Sequence, residues 1–256
     1  MPIFFILFIV LIIAYFFSRI FVKPKWKVPQ HELSQEQIII LKENVPFYNR
    51  LSPQKKKHFE FEIQEFLLNY KITPISTTIS ETDKLLIAAS GVIPIFAFPD
   101  WKYRNLREIL VYPDSFNLNF ETEGNGRFIL GMVGTGKYSY KMFLSKRAIV
   151  NGFASDKDGH NTAIHEFIHL IDGADGAIDG LPAVLLDQPY VIPWLELIHK
   201  EIEKIRNNES ELRPYGAQNS SEFLAVASEF FFERPELLEK KHPLLFQYLS
   251  KMFNTK

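Results

Sequence analysis

The five residues from His165 to His169, H-E-F-I-H, have the types and spacing of a metal-dependent hydrolytic site. On a helix, residues four apart lie on one face, so both imidazoles can reach a single ion. Glu166 projects to the side, where it can act as general base towards a metal-activated water without being a ligand. The alternative is an ordinary buried helix with two satisfied histidines, and the pentapeptide alone does not choose between them.

A third metal ligand must come from elsewhere in the chain. The metzincin continuation is absent, because Asp172 and Asp175 stand where its glycine and histidine would be. Glu222 and Glu229 are seven residues apart, on one face of an otherwise apolar helix, where a carboxylate is costly to bury unless it is paired or metal-bound. Glu222 is therefore the best candidate for the third ligand, with a capping box with Asn219 as the alternative explanation.

Two further acidic residues are candidates for orienting the ligand histidines by hydrogen bonds. Glu229 has no capping role, so accepting a hydrogen bond from a ligand histidine suits it. Asp172, three residues after His169, is a candidate for the same role. The alternative is that Asp172 only caps the C-terminus of the helix. The chain has no cysteine, which excludes thiolate sites and disulfides. A His, His, Glu set favours Zn²⁺, one ion per chain.

The N-terminal segment 1–22 differs sharply from the rest of the chain. It is almost entirely apolar, with Arg19 as its only charge, and is close to the ~20 residues that a helix needs to span a bilayer. It has no charged start and no small-residue cleavage site, so we expect an uncleaved transmembrane anchor. Residues 23–30 form a basic linker, and this positive flank predicts that the following domain lies in the cytoplasm.

The remaining residues, 31–256, predict one α+β domain that is mainly helical with a small β-sheet. Ser52 with Pro53, and Ser80 with Asp83, have the residue types that begin helices. The run Lys55 to Lys57 indicates a solvated helix face. Further helices are expected from Asn161, over 193–208 and 220–233, and near the C-terminus. The net charge of −1 gives no basic field for nucleic acid, which we do not expect as a partner.

Three segments predict strands: 107–113, 127–133 and 138–145. The stretch from Gly131 to Tyr138 matches the phosphate-binding pattern G-x-x-x-x-G-K-[ST] as far as its lysine. Its last residue is a tyrosine, whereas the pattern requires a serine or threonine whose hydroxyl binds magnesium. No helix is expected behind it either. We expect a hairpin turn there.

Long stretches around these motifs resemble the Mlc titration factor A family of zinc peptidases and, more distantly, the catalytic domain of anthrax lethal factor. They are "LLIAASGVIPI", "REILVYPDSF", "DGHNTAIHEFIHLIDGADGAIDGLP" and "YGAQNSSEFLAVASEFFFERPELL". The resemblance implies a zincin-like fold with His165, His169 and Glu222 as zinc ligands and Glu166 as general base. It also implies that Tyr215 stabilises the oxyanion.

These features predict a membrane-anchored zinc metallopeptidase that acts on a peptide or protein substrate. An aminopeptidase-like activity is among the activities expected. The alternative is a binding module that sequesters a transcriptional regulator, as the family's repressor partner suggests, with zinc mainly structural. Membrane contact is expected only through residues 1–22. Intramembrane proteolysis does not fit, because the segments flanking His165 are too polar and too short to cross a bilayer.

Overall fold

A computed structural model describes residues 26–155 and 159–253 of the chain. This part of the protein is mainly helical with one small mixed sheet, which confirms that part of the predicted fold class. The helices are, in chain order, α1 (Gln35–Asn44), α2 (Pro46–Arg50), α3 (Pro53–Asn69), α4 (Glu81–Val92), α5 (Lys146–Ala154), α6 (Thr162–Asp172), α7 (Val191–Arg206), α8 (Ser220–Glu233), α9 (Pro235–Lys241) and α10 (Pro243–Met252). The strands are β1 (Lys71–Pro74), β2 (Leu106–Tyr112), β3 (Gly131–Val133) and β4 (Tyr140–Ser145).

Local capping explains where several helices begin. The Ser52 hydroxyl accepts a hydrogen bond from the backbone of α3, and Pro53 occupies the first helical position. At the start of α4, Ser80 and Asp83 form a full capping box, with Asp83 Oδ2 2.7 Å from the Ser80 backbone nitrogen. Both helix starts are as the sequence predicts.

The sheet has the order β1-β2-β4-β3, in which β1, β2 and β4 are parallel and β3 is antiparallel to β4. Parallel neighbours need a crossover, and α4 lies in the connection between β1 and β2. Neither β1 nor α5 is predicted from the sequence. The segment 127–133, expected to be a strand throughout, has regular strand structure only over β3.

The connection between β3 and β4 is a hairpin, as predicted for the region that resembles a phosphate-binding loop. It turns through a short 3₁₀ helix, Gly136–Tyr138. A side chain at Gly134 would put its Cβ 2.3 Å from the carbonyl oxygen of Tyr138, so the tight turn requires glycine. The following residues continue as β4, and no α-helix begins behind the loop.

Helix α6 lies at the centre of the main hydrophobic core, and all of its residues are buried. It packs against α4, α5, α8 and β3. The contact with α4 passes over Gly91, where an added Cβ would lie 2.4 Å from a ring carbon of Phe66 and 2.9 Å from one of Phe167. Both rings are buried and stack edge to face, so neither can move aside easily.

No helix in the described residues is long and apolar enough to cross a membrane. The anchor predicted for residues 1–22 lies outside the described ranges, as do residues 23–25 of the predicted linker. Trp26 and Lys27, also assigned to the linker, pack on the domain. The ring of Trp26 contacts Tyr70 edge-on, and the backbone of Lys27 makes two hydrogen bonds with the Asn69 side chain.

The close packing over Gly91 predicts an unusual response to a helix-favouring substitution. Gly91→Ala should lower the free energy of unfolding by about 1–3 kcal/mol, because overpacking outweighs the better helix propensity of alanine. Lys84→Ala, at an exposed site on the same helix, should change it by less than about 0.5 kcal/mol. Urea denaturation of both variants measures this; a stabilised Gly91→Ala protein would contradict the packing.

Candidate metal centre and active-site cleft

Helix α6 presents His165 and His169 one turn apart, as predicted for the two histidines. Asn161 caps its first turn, with Oδ1 accepting from the backbone nitrogen of Ile164 at 3.1 Å, and the helix ends at Gly173. The two imidazole rings meet edge-on, with their Nε2 atoms 3.1 Å apart. Both rings are buried.

Helix α8 brings Glu222 to the same point. Its Oε2 lies 2.9 Å from Nε2 of His165 and 3.4 Å from Nε2 of His169. Asn219 does cap α8 by accepting from the Glu222 backbone nitrogen, but the Glu222 carboxylate turns to the histidines. Burial alone would raise the pKa of this carboxylate. Its hydrogen bonds with the two histidines outweigh the effect of burial and hold the pKa at about 2.

The three side chains fit a metal ion. Ligand atoms of a tetrahedral ion at about 2.1 Å lie about 3.4 Å apart, close to the separations of the two Nε2 atoms and Oε2. Burial disfavours a charged His165, yet hydrogen bonds to Glu222 and Glu229 outweigh it and raise the pKa of His165 to about 10. The site therefore attracts a positive charge, which a metal ion can supply. His165, His169 and Glu222 form the one such metal-ligand group in the described residues.

Glu229, fully buried on α8, is the acceptor behind His165. Its Oε1 lies 2.7 Å from His165 Nδ1 and accepts the proton that this nitrogen carries, so Nε2 is the nitrogen that can bind a metal ion once its own proton is displaced. Arg213 donates to the same oxygen at 2.5 Å, and the backbone nitrogen of Asn161 donates to Oε2 at 2.6 Å. Three donors thus compensate the buried carboxylate.

Asp172, at the end of α6, is also buried, and burial raises its pKa to about 6. Its Oδ2 accepts a hydrogen bond from the backbone of Gly180 at 2.8 Å, which holds the loop after the helix. Its Oδ1 and Nδ1 of His169 have no hydrogen-bond partner within the described ranges. The predicted role of Asp172 in orienting a ligand histidine stays a prediction.

Glu166 and Tyr215 line an open cleft of about 670 Å³, together with His165. Burial raises the pKa of Glu166, while the neighbouring histidines oppose this. Tyr215 lies in a 3₁₀ turn, Pro214–Ala217, with its ring centroid 5.7 Å from that of His165. Burial and the nearby carboxylates raise the pKa of Tyr215, so its hydroxyl stays protonated as a donor.

Strand β3 also lines the cleft, directly beside Glu166. A Cβ at Gly131 would lie 2.7 Å from Cγ of Glu166, so only glycine fits between strand and helix. Sequence reasoning assigned roles neither to Gly131 nor to Arg213. Both depend on contacts between distant segments, and only the position of Arg213 two residues before Tyr215 gave a local signal.

The chain is similar to known proteins over most of its length. A family model described as glucose-regulated metallo-peptidase M90 matches residues 20–254. An uncharacterized protein of Synechocystis sp. is 31% identical over 225 residues, which cover 84% of this chain and 82% of that protein.

Two further relatives carry the name Mlc titration factor A. The protein of Pectobacterium atrosepticum is 25% identical over 227 residues, covering 82% of this chain and 83% of its own length. That of Escherichia coli strain 55989 is 26% identical over 256 residues, covering 91% of each chain. The family resemblance expected from the sequence is confirmed; the more distant likeness to anthrax lethal factor stays a prediction.

The contacts of Glu229 predict its effect on metal affinity. Glu229→Gln keeps the shape but sets an amide nitrogen against one of three donors and removes the charge behind His165. We expect zinc affinity to fall about 10–100-fold. Competition with a chromogenic chelator measures it, and Glu236→Gln, at an exposed site, is the matched control. Equal affinities in all three proteins would contradict the arrangement.

Proposed function

The chain belongs to the glucose-regulated metallo-peptidase M90 family, and on this premise we propose that it is a zinc-dependent peptidase. The observation that carries this proposal is the convergence of His165, His169 and Glu222 at one point, where His165 and the adjacent Glu166 line an open cleft. A structural zinc site has four protein ligands and is closed, whereas a catalytic site has three and keeps an open position. Three ligand side chains next to a cleft favour catalysis.

In the proposed reaction, His165, His169 and Glu222 hold the ion through their Nε2 and Oε2 atoms. When bound, a zinc ion supplies a Lewis acid that makes water a nucleophile near neutral pH. Glu229 keeps the proton of His165 on Nδ1, and Arg213 and the Asn161 backbone fix Glu229 in turn. These contacts orient His165 before a substrate arrives.

Glu166 moves the proton. Its carboxylate accepts a proton from the attacking water and then gives it to the leaving nitrogen. The wall of β3 at Gly131 limits the positions that this carboxylate can adopt. The Tyr215 hydroxyl donates a hydrogen bond to the oxygen that becomes negative in the transition state.

The edge of β3 is suited to hold the substrate backbone. The backbone nitrogen of Ser145 donates a hydrogen bond to the carbonyl of Leu130, and that of Gly134 donates to the carbonyl of Lys141. Because the direction alternates along a strand, the peptide groups of Leu130, Met132 and Gly134 point towards β4. In this antiparallel register the peptide groups of Gly131 and Val133 point away from β4. An extended peptide can pair with these groups, which would lay its backbone along the cleft.

Removing the proton carrier tests the mechanism. Glu166→Gln should still bind one zinc per chain but lose at least about 100-fold in kcat, because general acid–base catalysis contributes about 10²–10⁴. Tyr215→Phe should lose about 100-fold with little change in zinc binding. Peptide hydrolysis and metal content are measured together, with Glu236→Gln as control. A Glu166→Gln protein as active as the parent would refute the mechanism.

We also propose that residues 1–22 anchor the protein in the membrane and that the peptidase domain faces the cytoplasm. The apolar length of this segment and the positive charge after it support the anchor and its orientation. The anchor would limit the enzyme to substrates that reach the membrane surface.

The absence of cysteine allows a clean test of this orientation. In right-side-out membrane vesicles, Lys240→Cys should react with a membrane-impermeant maleimide only after the membrane is opened. Pro2→Cys should react at once, because it precedes the anchor. The parent chain, which has no thiol, is the background control. Labelling of Lys240→Cys in sealed vesicles would contradict a cytoplasmic domain.

The name of two relatives favours one alternative, in which the chain sequesters a transcriptional regulator. That name describes those proteins as titration factors for Mlc. A pull-down with the full-length parent and with Glu166→Gln distinguishes the functions. Capture of a regulator by both proteins, without cleavage of any peptide by the parent, would favour sequestration over catalysis.

A further inference from the structure

Two large apolar side chains stand exposed at the cleft. Leu118 and Phe128 each have a relative exposure of 73%, the highest among the large hydrophobic residues that the structure describes. Both line the cleft that contains His165, Glu166 and Tyr215. Apolar surface exposed at the rim of a binding cleft gains free energy when a ligand covers it.

The exposure is not the result of a loose segment. Leu118 and Phe128 belong to the connection between β2 and β3, residues 113–130, which we call the cleft arm. Phe116 in this arm is fully buried and pairs with Ile129 through two backbone hydrogen bonds of 3.0 Å. Phe120 stacks on Phe143 of β4 with ring centroids 4.6 Å apart. The cleft arm therefore packs on the sheet through its other apolar side chains.

Hydrogen bonds also fix the turn that carries Leu118. The side-chain oxygen of Asn117 accepts from the backbone nitrogens of Asn119 and Glu121, at 2.9 and 3.0 Å. The backbone nitrogen of Phe120 donates to the carbonyl of Asn117. This turn holds Leu118 outward in a defined position, so little ordering is required when it contacts a ligand.

We propose that Leu118 and Phe128 form a substrate subsite that binds a large apolar side chain, such as leucine, phenylalanine or methionine, close to the cleaved bond. The subsite rests on the proposed peptidase function, because its occupant is the peptide that lies along β3. Phe128 is three residues before Gly131 in the chain, so the subsite and the backbone-binding edge are adjacent.

The charges of the cleft agree with an apolar preference. Arg213 is the one arginine or lysine among its lining residues, and the buried carboxylate of Glu229 already occupies its guanidinium. An acidic substrate side chain would therefore compete with an existing ion pair. Apolar contact with Leu118 and Phe128 has no such competitor.

The experiment has two stages and uses the full-length, zinc-loaded protein. Cleavage sites in a mixed peptide library are first mapped by mass spectrometry. Two peptides that differ only at the selected position, leucine against alanine, are then compared by kcat/KM. The variants are Leu118→Ala, Phe128→Ala and the double variant. Ile192→Ala is the control, since Ile192 is 69% exposed but does not line the cleft.

The parent should cleave the leucine peptide about tenfold or more faster than the alanine peptide. The double variant should lose most of this preference by a lower kcat/KM for leucine alone, while Ile192→Ala keeps it. Cleavage without an apolar preference, or with a preference that survives in the double variant, overturns the subsite and leaves the peptidase function intact. No cleavage by the parent overturns both.

Discussion

The burial of one carboxylate, that of Glu229, is the constraint on which the rest of the site depends. A buried ionised group is costly unless donors surround it, and here the donors come from two separate parts of the chain. His165 belongs to α6, Arg213 to the segment before α8, and the third donor is the backbone of Asn161. The two helices that carry the candidate metal ligands are therefore held in register by the same contacts that orient His165.

The second constraint is the close approach of β3 to α6. Gly131 allows the strand edge to lie directly against Glu166, which brings the proposed proton carrier and the proposed backbone-binding edge together. The cleft arm packs on the outer face of the sheet and leaves Leu118 and Phe128 at the rim. The candidate metal ligands, the proposed proton carrier and the proposed substrate surface thus meet at one place, although they derive from segments far apart in the chain.

Features that depend on neighbouring residues could be predicted from the sequence. The starts of α3, α4, α6 and α8 follow from their capping residues, and the histidine pair follows from helical spacing. Because the helix around Glu222 is apolar, a buried carboxylate there is costly unless it is paired or bound to a metal ion. This cost made Glu222 a candidate metal ligand.

Features that depend on distant contacts could not be predicted. Strand β1 has four residues and little periodicity, and α5 is short and follows β4 directly. The role of Gly131 requires knowledge of the packing between β3 and α6, and that of Arg213 requires the position of Glu229. The anchor differs from these features, because the composition of residues 1–22 predicts it. These residues lie outside the part of the chain that the structure describes.

The central claim is that His165, His169 and Glu222 bind a metal ion together. Crystals of the zinc-loaded protein, measured on both sides of the zinc absorption edge, test it most directly. We expect one anomalous peak per chain, within about 2.3 Å of both Nε2 atoms and of a Glu222 oxygen. A peak elsewhere, or none at this position with zinc present in the crystals, would contradict the account.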